Sequence, residues 1–421
     1  MKYFSVNLTT ISPLAIRADH SPGGAETTRF IPGTALVGSL AATHRFFYPE
    51  KVSDFEAFFL NGQIYYPDLY PAAFSDAGMQ DLNLPVYPVP KTAQSCKRHP
   101  GFRFPGYDED DFHGVRDSLI DWTLFKMTTA KAYDPGNTQP LKVLQEHKRC
   151  KYCDAMMDAF SAYYRRDTVE PHYMIHAQVD SHTRLQTHTG INRESGTVQE
   201  RILYNRQVFE EDMHFWGALK LPDDEDLAGD FASFISEVNE EHLIRLGTGR
   251  TRGLGKVSLA IESMEDEDER HTRFTERLQM FDELLKTKAR EIHLQDLKQS
   301  YFALTLHSPL ILCDELLRYR GTIDEGTLAE LLGIPATEFE CIYQAASVRR
   351  VTGWQELWGT PRTNEYAIET GSVFLFASSQ PLEALLRPLF ILEEQGAGKR
   401  RAEGFGRVCI SDAFHQETEQ R

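Results

Sequence analysis

Hydrophobic and polar residues alternate along positions 3–8, Tyr-Phe-Ser-Val-Asn-Leu, and the run ends at Ser12-Pro13-Leu14. A period of two predicts a strand with one buried face. The same pattern returns at positions 301–306, again opening Tyr-Phe and running to Ser308-Pro309-Leu310. After the first strand, Phe30-Ile31-Pro32-Gly33-Thr34 leads into an apolar-rich segment. Thr34 can cap a helix there, with Leu36, Leu40 and Phe47 on one face. Positions 184–219 return to alternation, and Glu194-Ser195-Gly196 reads as the turn of a hairpin. Leu227, Phe231, Phe234, Ile235 and Val238 have helical spacing, and positions 256–261 alternate once more. Phe274, Leu278, Phe281 and Leu285 fall on one helical stripe and predict a connector helix. Beyond it the patterns predict strands around 351–358 and 366–376 and a helix over 381–394, where Pro388 argues against an unbroken helix.

Strand, helix, strands, helix, strand is the ferredoxin-like split order. The chain therefore reads as α+β, with two such domains in tandem: residues 1–265, a connector over 266–298, and residues 299–421. Between about 85 and 180 the periodicity fades and Pro, Gly, His and Cys accumulate, which marks an insertion in the first domain.

The two halves close alike. Positions 247–257 read Gly-Thr-Gly-Arg-Thr-Arg-Gly-Leu-Gly-Lys-Val, and positions 396–408 read Gly-Ala-Gly-Lys-Arg-Arg-Ala-Glu-Gly-Phe-Gly-Arg-Val. Each opens Gly-x-Gly, adds basic residues and closes Gly-apolar-Gly-basic-Val. Gly247, Gly249, Gly253 and Gly255, with Gly396, Gly398, Gly404 and Gly406, permit positive φ and remove side chains that would hold a ligand away. Bare N–H groups in succession can form an anion-binding nest. Arg250, Arg252 and Lys256, with Lys399, Arg400 and Arg401, supply charge for phosphates. The hairpin adds Arg193, Arg201, Tyr204 and Arg206, a pairing of cations with an aromatic that suits phosphate contact and base stacking. A P-loop is excluded, because Lys256 precedes Val257 and Lys399 precedes Arg400, where Ser or Thr is required. The dinucleotide fingerprint is excluded by order, since here the helix precedes the glycines and the strand follows them.

The chain has 421 residues, enough for two cores, with 41% hydrophobic and 25% charged residues. No apolar run approaches the roughly 18 residues of a membrane span, and the N-terminus lacks a continuous apolar signal segment. The expected location is the cytoplasm. Net charge is −17, which disfavours indiscriminate nucleic-acid binding. Its distribution matters more than the sum. Acidic runs at 108–111, 223–226 and 265–269 lie apart from the first glycine loop, which has three basic residues and no acid.

Six cysteines without a secretory signal point to a reducing compartment, where close pairs favour metal over disulfide. Cys150-Lys-Tyr-Cys153 can present two sulfurs to one Zn²⁺ from a tight turn. Upstream lie Cys96, His99 and His113: spacing favours Cys96-x-x-His99, and His113 competes. Zinc would also explain how a loop-rich insertion stays ordered. Cys313, Cys341 and Cys409 stand alone and read as packing residues. No catalytic triad, HExxH or paired-carboxylate motif is evident. Asp19, His20 and Glu26 cluster after the first strand, and His172, His176, His182 and His188 before or on the hairpin; a histidine among them could act as a general base.

Several of these segments resemble the CRISPR-associated RAMP superfamily, whose members are built from ferredoxin-like (RNA-recognition-motif-like) domains. The resemblance rests on Ile31-Pro32-Gly33-Thr34-Ala35-Leu36-x-Gly38, on His188-Thr-Gly-Ile-Asn-Arg193-Glu-Ser-Gly196, and on both glycine loops. The layout, with Cys96-Lys97, His113-Gly-Val-Arg-Asp117 and Cys150-x-x-Cys153, is most similar to the two-domain RAMP subunit of type III-D effector complexes. This likeness implies a non-catalytic subunit that holds the 5′ repeat-derived tag of the guide RNA (crRNA) in antiviral defence. Its neighbours would be the large polymerase-like subunit and a backbone subunit. It implies RNA approach at the two glycine loops, with Arg193 and His188 on the hairpin, and it favours His113 over His99 as the fourth ligand of a structural zinc. The cleaving backbone subunits use an aspartate before the Ile-Pro-Gly helix; here that loop offers Glu26 and the more distant Asp19. The alternative is a metal-independent RAMP endoribonuclease acting through His44 on the first helix. A second alternative is a structural adaptor whose loops meet protein neighbours.

Overall fold

The computed structural model describes residues 1–18, 26–72, 85–103, 112–130, 148–166, 174–176, 182–191, 198–264, 266–355, 359–416 and 419–420. The expectations for Asp19, His20, His172, Arg193, the 108–111 run and the 194–196 turn lie outside these residues, as do those for the side chains of His176 and Arg201.

The molecule is a mixed α/β assembly of several small sheets. Its first half comprises β1 (Lys2–Thr10), α1 (Gly33–Phe47), β2 (Tyr70–Pro71), the paired β3 (Thr183–Ile191) and β4 (Val198–Phe209), β5 (His214–Leu221), α2 (Glu225–Glu240) and β6 (Val257–Ser263). The main sheet runs β6-β1-β5-β2, with every pair antiparallel. Alternation along β1 turns Val6 and Leu8 inward, where they join Leu219, Leu221 and Leu259. Leu36 and Leu40 of α1 and Phe231, Phe234, Ile235 and Val238 of α2 cover that face. Asp224 caps α2, accepting from the backbone N–H of Asp226 and Leu227.

One residue of the expected α1 face is displaced. Phe47 is 43% exposed and meets Phe46, and His44 takes the buried position at 1%. The rings of Tyr48, Phe55, Phe58, Phe59 and Phe234 enclose the imidazole. Burial lowers its pKa and favours the neutral ring, whose Nδ1 has no hydrogen-bond partner among the described residues.

The second half follows with α3 (Glu267–Glu291), β7 (Ser300–Leu306), α4 (Glu325–Leu332), β8 (Phe339–Ala345), the paired β9 (Val348–Val351) and β10 (Glu365–Ile368), β11 (Val373–Ser378), α5 (Leu382–Gln395) and β12 (Val408–Ile410). Its sheet runs β8-β11-β7-β12, again antiparallel throughout. Every residue of β7 and β11 is buried, because both faces are covered. Phe302, Leu304, Phe374 and Phe376 meet α4 and α5, while Tyr301, Ala303, Val373 and Leu375 meet Phe281, Leu285 and Ala289 of α3. The helix read as a connector is therefore one layer of this core. α5 runs unbroken through Pro388. An interior proline costs about 3 kcal/mol, and the burial of Leu385, Leu389 and Leu392 on the sheet offsets it.

The insertion contains more regular structure than its sequence announces. A small sheet joins strands Ala93–Cys96, Val115–Asp117 and Met157–Ala159. A helix, Leu119–Ala130, buries Leu119, Ile120, Leu124 and Met127 against the outer face of the second-half sheet, beside α3. His415 fixes this docking: Nδ1 lies 2.8 Å from Asp117 Oδ2 and Nε2 lies 2.9 Å from Thr305 Oγ1. The halves are joined directly as well. Lys220 Nζ donates to the carbonyls of Glu393 (2.9 Å) and Glu394 (2.8 Å) at the end of α5, and burial lowers its pKa to about 7. Arg270 pairs with Glu394 at 3.2 Å, both side chains 10% exposed. Among the described residues, no helix is long and apolar enough to cross a membrane.

Candidate functional site

The two glycine loops have the same backbone. In the first, Leu246 N–H donates to Gly255 O, Gly255 N–H to Pro13 O, Thr248 N–H to Ala15 O and Arg252 N–H to Gly249 O. In the second, the matching bonds run from Ala397 to Gly406, Gly406 to Pro309, Lys399 to Ile311 and Glu403 to Arg400. Ser12 Oγ accepts from Lys256 N–H at 2.8 Å, as Ser308 Oγ does from Arg407 N–H at 2.9 Å. The repeated Ser-Pro-Leu segments, read from the sequence only as strand ends, are the seats of the loops. They also seat the paired strands: Leu14 bridges Phe209 and Leu310 bridges Ile368.

This bonding corrects the register of the repeat. Positions 247–257 superimpose on 398–408, so Gly247 matches Gly398, and Gly249 matches Arg400 rather than Gly398. Arg400 adopts φ 60 where the first loop has glycine at φ 79. Gly396 belongs to the end of α5, as its C-cap residue. Arg252 is matched by Glu403, an exchange of charge sign at the centre of the loop.

The surroundings then diverge. In the first loop Thr251, Arg252 and Gly253 are exposed, and Arg250 and Lys256 are half-buried. Arg252 Nη1 donates to Tyr204 OH of β4 at 2.5 Å. The Tyr204 ring stacks on His188 of β3, with centroids 5.2 Å apart and planes at 21°. Arg206 packs its guanidinium against Gly249, where a Cβ would lie 2.5 Å from Nη1. Among the described residues, Arg206 Nη1 and His188 Nε2 are buried without a hydrogen-bond partner. The described surface here is a cationic turn leaning on an aromatic pair.

The second loop is turned into the protein. Gly404 meets Gly33 at the start of α1, so that a Cβ on Gly33 would lie 2.9 Å from Gly404 Cα. The glycine of the Ile31-Pro32-Gly33 segment is required by this close approach. Asp68 lies in the same contact and accepts from Gly33 N–H at 2.8 Å. Burial pushes its carboxyl up to about 7, against the Gly33 hydrogen bond and the charges of Arg349 and Arg407. Ala402 O accepts from Tyr66 N–H, and Arg407 Nη2 donates to Tyr65 O. Arg400 pairs with both Glu365 and Glu403, and Arg362 also pairs with Glu403. Arg401 lies over the Tyr65 ring at 5.4 Å. Gly398 and Lys399 are its exposed residues. Of the basic side chains expected to meet phosphate in this loop, Arg400 is committed to carboxylates and Arg401 lies against Tyr65.

The insertion gathers Cys96, His113, Cys150 and Cys153, with ligand atoms all within 4.8 Å of one another. Cys96 Sγ lies 3.5 Å from Cys153 Sγ, and His113 Nδ1 lies 3.2 Å from Cys150 Sγ. Zn–S bonds of about 2.3 Å in a tetrahedron place sulfurs about 3.8 Å apart, so three thiols and one imidazole at these spacings fit the ion. His99 is outside the cluster; its ring stacks on His113 with centroids 4.3 Å apart. Cys409, read as an isolated packing residue, instead shares a buried polar junction with His307 and Asp412. Burial would raise the Asp412 carboxyl, but the 2.6 Å contact with His307 and the charges of His307 and His415 hold it well below the usual range. Glu26 is exposed, and His44 is enclosed as described.

No family model matches this chain, and no curated protein matches it. Among solved structures, a chain of the type III-B Cmr-beta complex bound to cognate target RNA and AMPPnP aligns at 12% identity and TM-score 0.37, covering 88% of this chain and 86% of that one. A chain of the apo Cmr-beta complex aligns at 10% identity and TM-score 0.29, covering 63% and 98%. Oligomeric Cmr4 from Pyrococcus furiosus aligns at 12% identity and TM-score 0.27, covering 62% and 99%. All lie below a TM-score of 0.5, so the reading of the site rests on its own geometry.

Proposed function

We propose that this chain is a non-catalytic guide-RNA-binding subunit of a type III CRISPR interference complex, two ferredoxin-like domains in tandem (1–265 and 299–421) with a zinc-bearing insertion. The last-first-third-second strand order of both main sheets supports the domain reading. One observation carries the RNA reading: the first glycine loop has an exposed turn at Thr251–Gly253, is basic and is backed by the stacked Tyr204–His188 pair, while its structural twin is packed against the protein apart from Gly398 and Lys399. Cations that track a backbone, beside an aromatic face that accepts any base, are what a sequence-tolerant single-strand binder needs. Sequence recognition of a target would then come from base pairing by the guide. The likeness of the motifs to the type III-D RAMP subunit supplies the finer assignment: the 5′ tag as ligand, and the polymerase-like and backbone subunits as partners. The burial of His44 among aromatic rings weighs against the endoribonuclease alternative.

Zinc would be held by Cys96, His113, Cys150 and Cys153. It would act structurally, tying the strand end at Cys96 to the turn at Cys150. Metal analysis of the purified chain should find one zinc per molecule, lost in Cys153→Ser together with order in the insertion; full retention in that variant would refute the ligand set. For RNA, the chain is purified with whatever it carries and the bound strand is sequenced. Guide RNA with an intact 5′ tag is the expected cargo, and a chain that enters the complex after RNase digestion with unchanged partners would instead be an adaptor. If about four phosphates are met, the logarithmic salt slope should be near −3.

A further inference from the structure

Beside the Cys/His cluster, the insertion surface opens into a small cleft lined by Arg103, His113, Arg116, Arg149, Lys151 and Tyr152. Four of the cleft's ten lining residues are lysine or arginine, on a chain whose net charge is −17. Tyr152 sits inside the Cys150–Cys153 turn and is 41% exposed. The turn is firmly made: Cys150 N–H donates to Ala155 O at 2.7 Å, and Asp154 N–H to Cys150 O at 2.9 Å. Arg149 braces it, donating Nη1 to both Asp154 O and Oδ2. The ring itself is held in place. Arg103 Nη1 donates to Tyr152 OH at 2.6 Å, and its guanidinium carbon lies 5.0 Å from the ring centroid. Lys151 Nζ lies 5.1 Å from the same centroid, and the His113 ring stands 5.3 Å away at 47°.

A large aromatic held out on a rigid turn among cations has one ligand chemistry that uses both features. Single-stranded nucleic acid offers an open base face to the ring and phosphates to the cations. A duplex keeps its bases stacked inward, and an acidic peptide would use the charge without the ring. We propose that this cleft is a second contact for single-stranded RNA, in which a base stacks on Tyr152 and flanking phosphates meet Lys151, Arg103 and Arg116. The proposal takes the identity of its ligand from the guide-RNA reading above and adds a site separate from the first glycine loop. It also gives the metal-binding turn a role beyond local order, since the turn that would hold the ion also presents the ring.

The test uses the full chain and a short labelled single-stranded oligo-uridine, with binding read by fluorescence anisotropy. Tyr152→Ala with Lys151→Glu should weaken binding about tenfold, equivalent to about 1.4 kcal/mol and within the range of one lost stacked base. Tyr152→Phe, which keeps the ring and loses the hydroxyl, should stay within about twofold of the parent on the same scale. Unchanged affinity in Tyr152→Ala/Lys151→Glu overturns the proposal. If Arg250→Glu/Arg252→Glu still weakens binding in that case, the RNA-binding reading survives; if it does not, both fail. Zinc content and melting temperature equal to the parent's establish that the variants are folded. Independently of any variant, 4-thiouridine in the bound oligonucleotide should crosslink to the peptide containing Tyr152, and crosslinks confined to other peptides would count against the site. An equal loss of poly-glutamate binding in Tyr152→Ala/Lys151→Glu would show a cleft that reads charge alone, which also overturns the stacking assignment.

Discussion

The two glycine loops share a backbone and differ in what lies against it. Each hangs from a Ser-Pro-Leu segment by equivalent hydrogen bonds, and each makes a short 3-10 turn between left-handed residues. Around the first, Arg252 donates to Tyr204, whose ring stacks on His188, and Thr251, Arg252 and Gly253 are exposed. Around the second, Gly404 is pressed on Gly33, and Arg400 is neutralised by Glu365 and Glu403. A duplicated glycine-loop backbone thus becomes either an exposed cationic turn or a joint between the two halves, depending on a few side chains and on which neighbour covers it. The exchange of Arg252 for Glu403 is the clearest of those differences. A carboxylate at the centre of the turn repels phosphate and invites an internal arginine.

That contrast can be attacked in order of expected effect. Where the backbones agree, damage should be equal. An added Cβ would lie 1.9 Å from Leu246 O at Gly255 and 1.8 Å from Ala397 O at Gly406, both at positive φ. Gly255→Ala and Gly406→Ala should therefore each cost about 4 kcal/mol in urea denaturation. Where the surroundings differ, the costs should separate. Gly253→Ala meets nothing within 4 Å among the described residues and should lose only the left-handed strain, about 1 kcal/mol. Gly404→Ala would strike Asp68 and Gly33 and should lose about 3 kcal/mol. Equal values for that pair would show the second loop to be as open as the first.

Asp68, beneath Gly404, gives the joint a pH signature. Its folded pKa of about 7 stands above the unfolded carboxylate value of about 4. Between those limits the folded chain binds a proton that the unfolded chain has released, so this contribution to stability falls as pH rises from 4 to 7. Asp68→Asn keeps the acceptor for Gly33 N–H and has no proton to lose. Its stability relative to the parent should rise by about 3 kcal/mol across that window, and a flat difference would mean the carboxyl is better hydrated than its burial implies.

Binding should divide the loops in the opposite sense. Arg250→Glu/Arg252→Glu is expected to weaken single-strand RNA binding about a hundredfold and to flatten the salt slope by about 1.4. Arg400→Ala should leave affinity unchanged and cost about 2 kcal/mol of stability, because Glu365 loses its partner and Glu403 keeps only Arg362. The smallest effect belongs to Tyr204→Phe. Losing the hydroxyl that accepts from Arg252, while keeping the face stacked on His188, should change affinity about twofold.

Much of this was legible from one dimension. The periodicities located most of the main-sheet strands and helices, because alternation and helical spacing are imposed by burial of a single face. The glycines marked where positive φ is needed, and Cys96, Cys150 and Cys153 announced a metal-type cluster. The insertion helix was less visible, since Leu119, Ile120, Leu124 and Met127 lie in a stretch whose Pro and Gly content suggests loop. The loop register was misread because Gly396, at the end of α5, imitates the Gly-x-Gly opening, while the true equivalent of Gly249 is Arg400, a non-glycine in the left-handed region. The choice between His99 and His113 needed the fold as well, because spacing cannot say which imidazole points at the sulfurs and which stacks behind it.

What the chain determined alone was local: which segments bury one face, where the backbone bends through conformations that favour glycine, and which side chains carry charge or sulfur. Those properties depend on neighbours a few residues away, and a linear pattern records them. Tertiary structure decided the rest. It set Gly33 against Gly404, Glu365 beside Arg400, and His188 beneath Tyr204. Exposure and charge neutralisation at these sites are relations between residues tens or hundreds of positions apart, and so only the folded molecule could say which of two similar loops remains exposed.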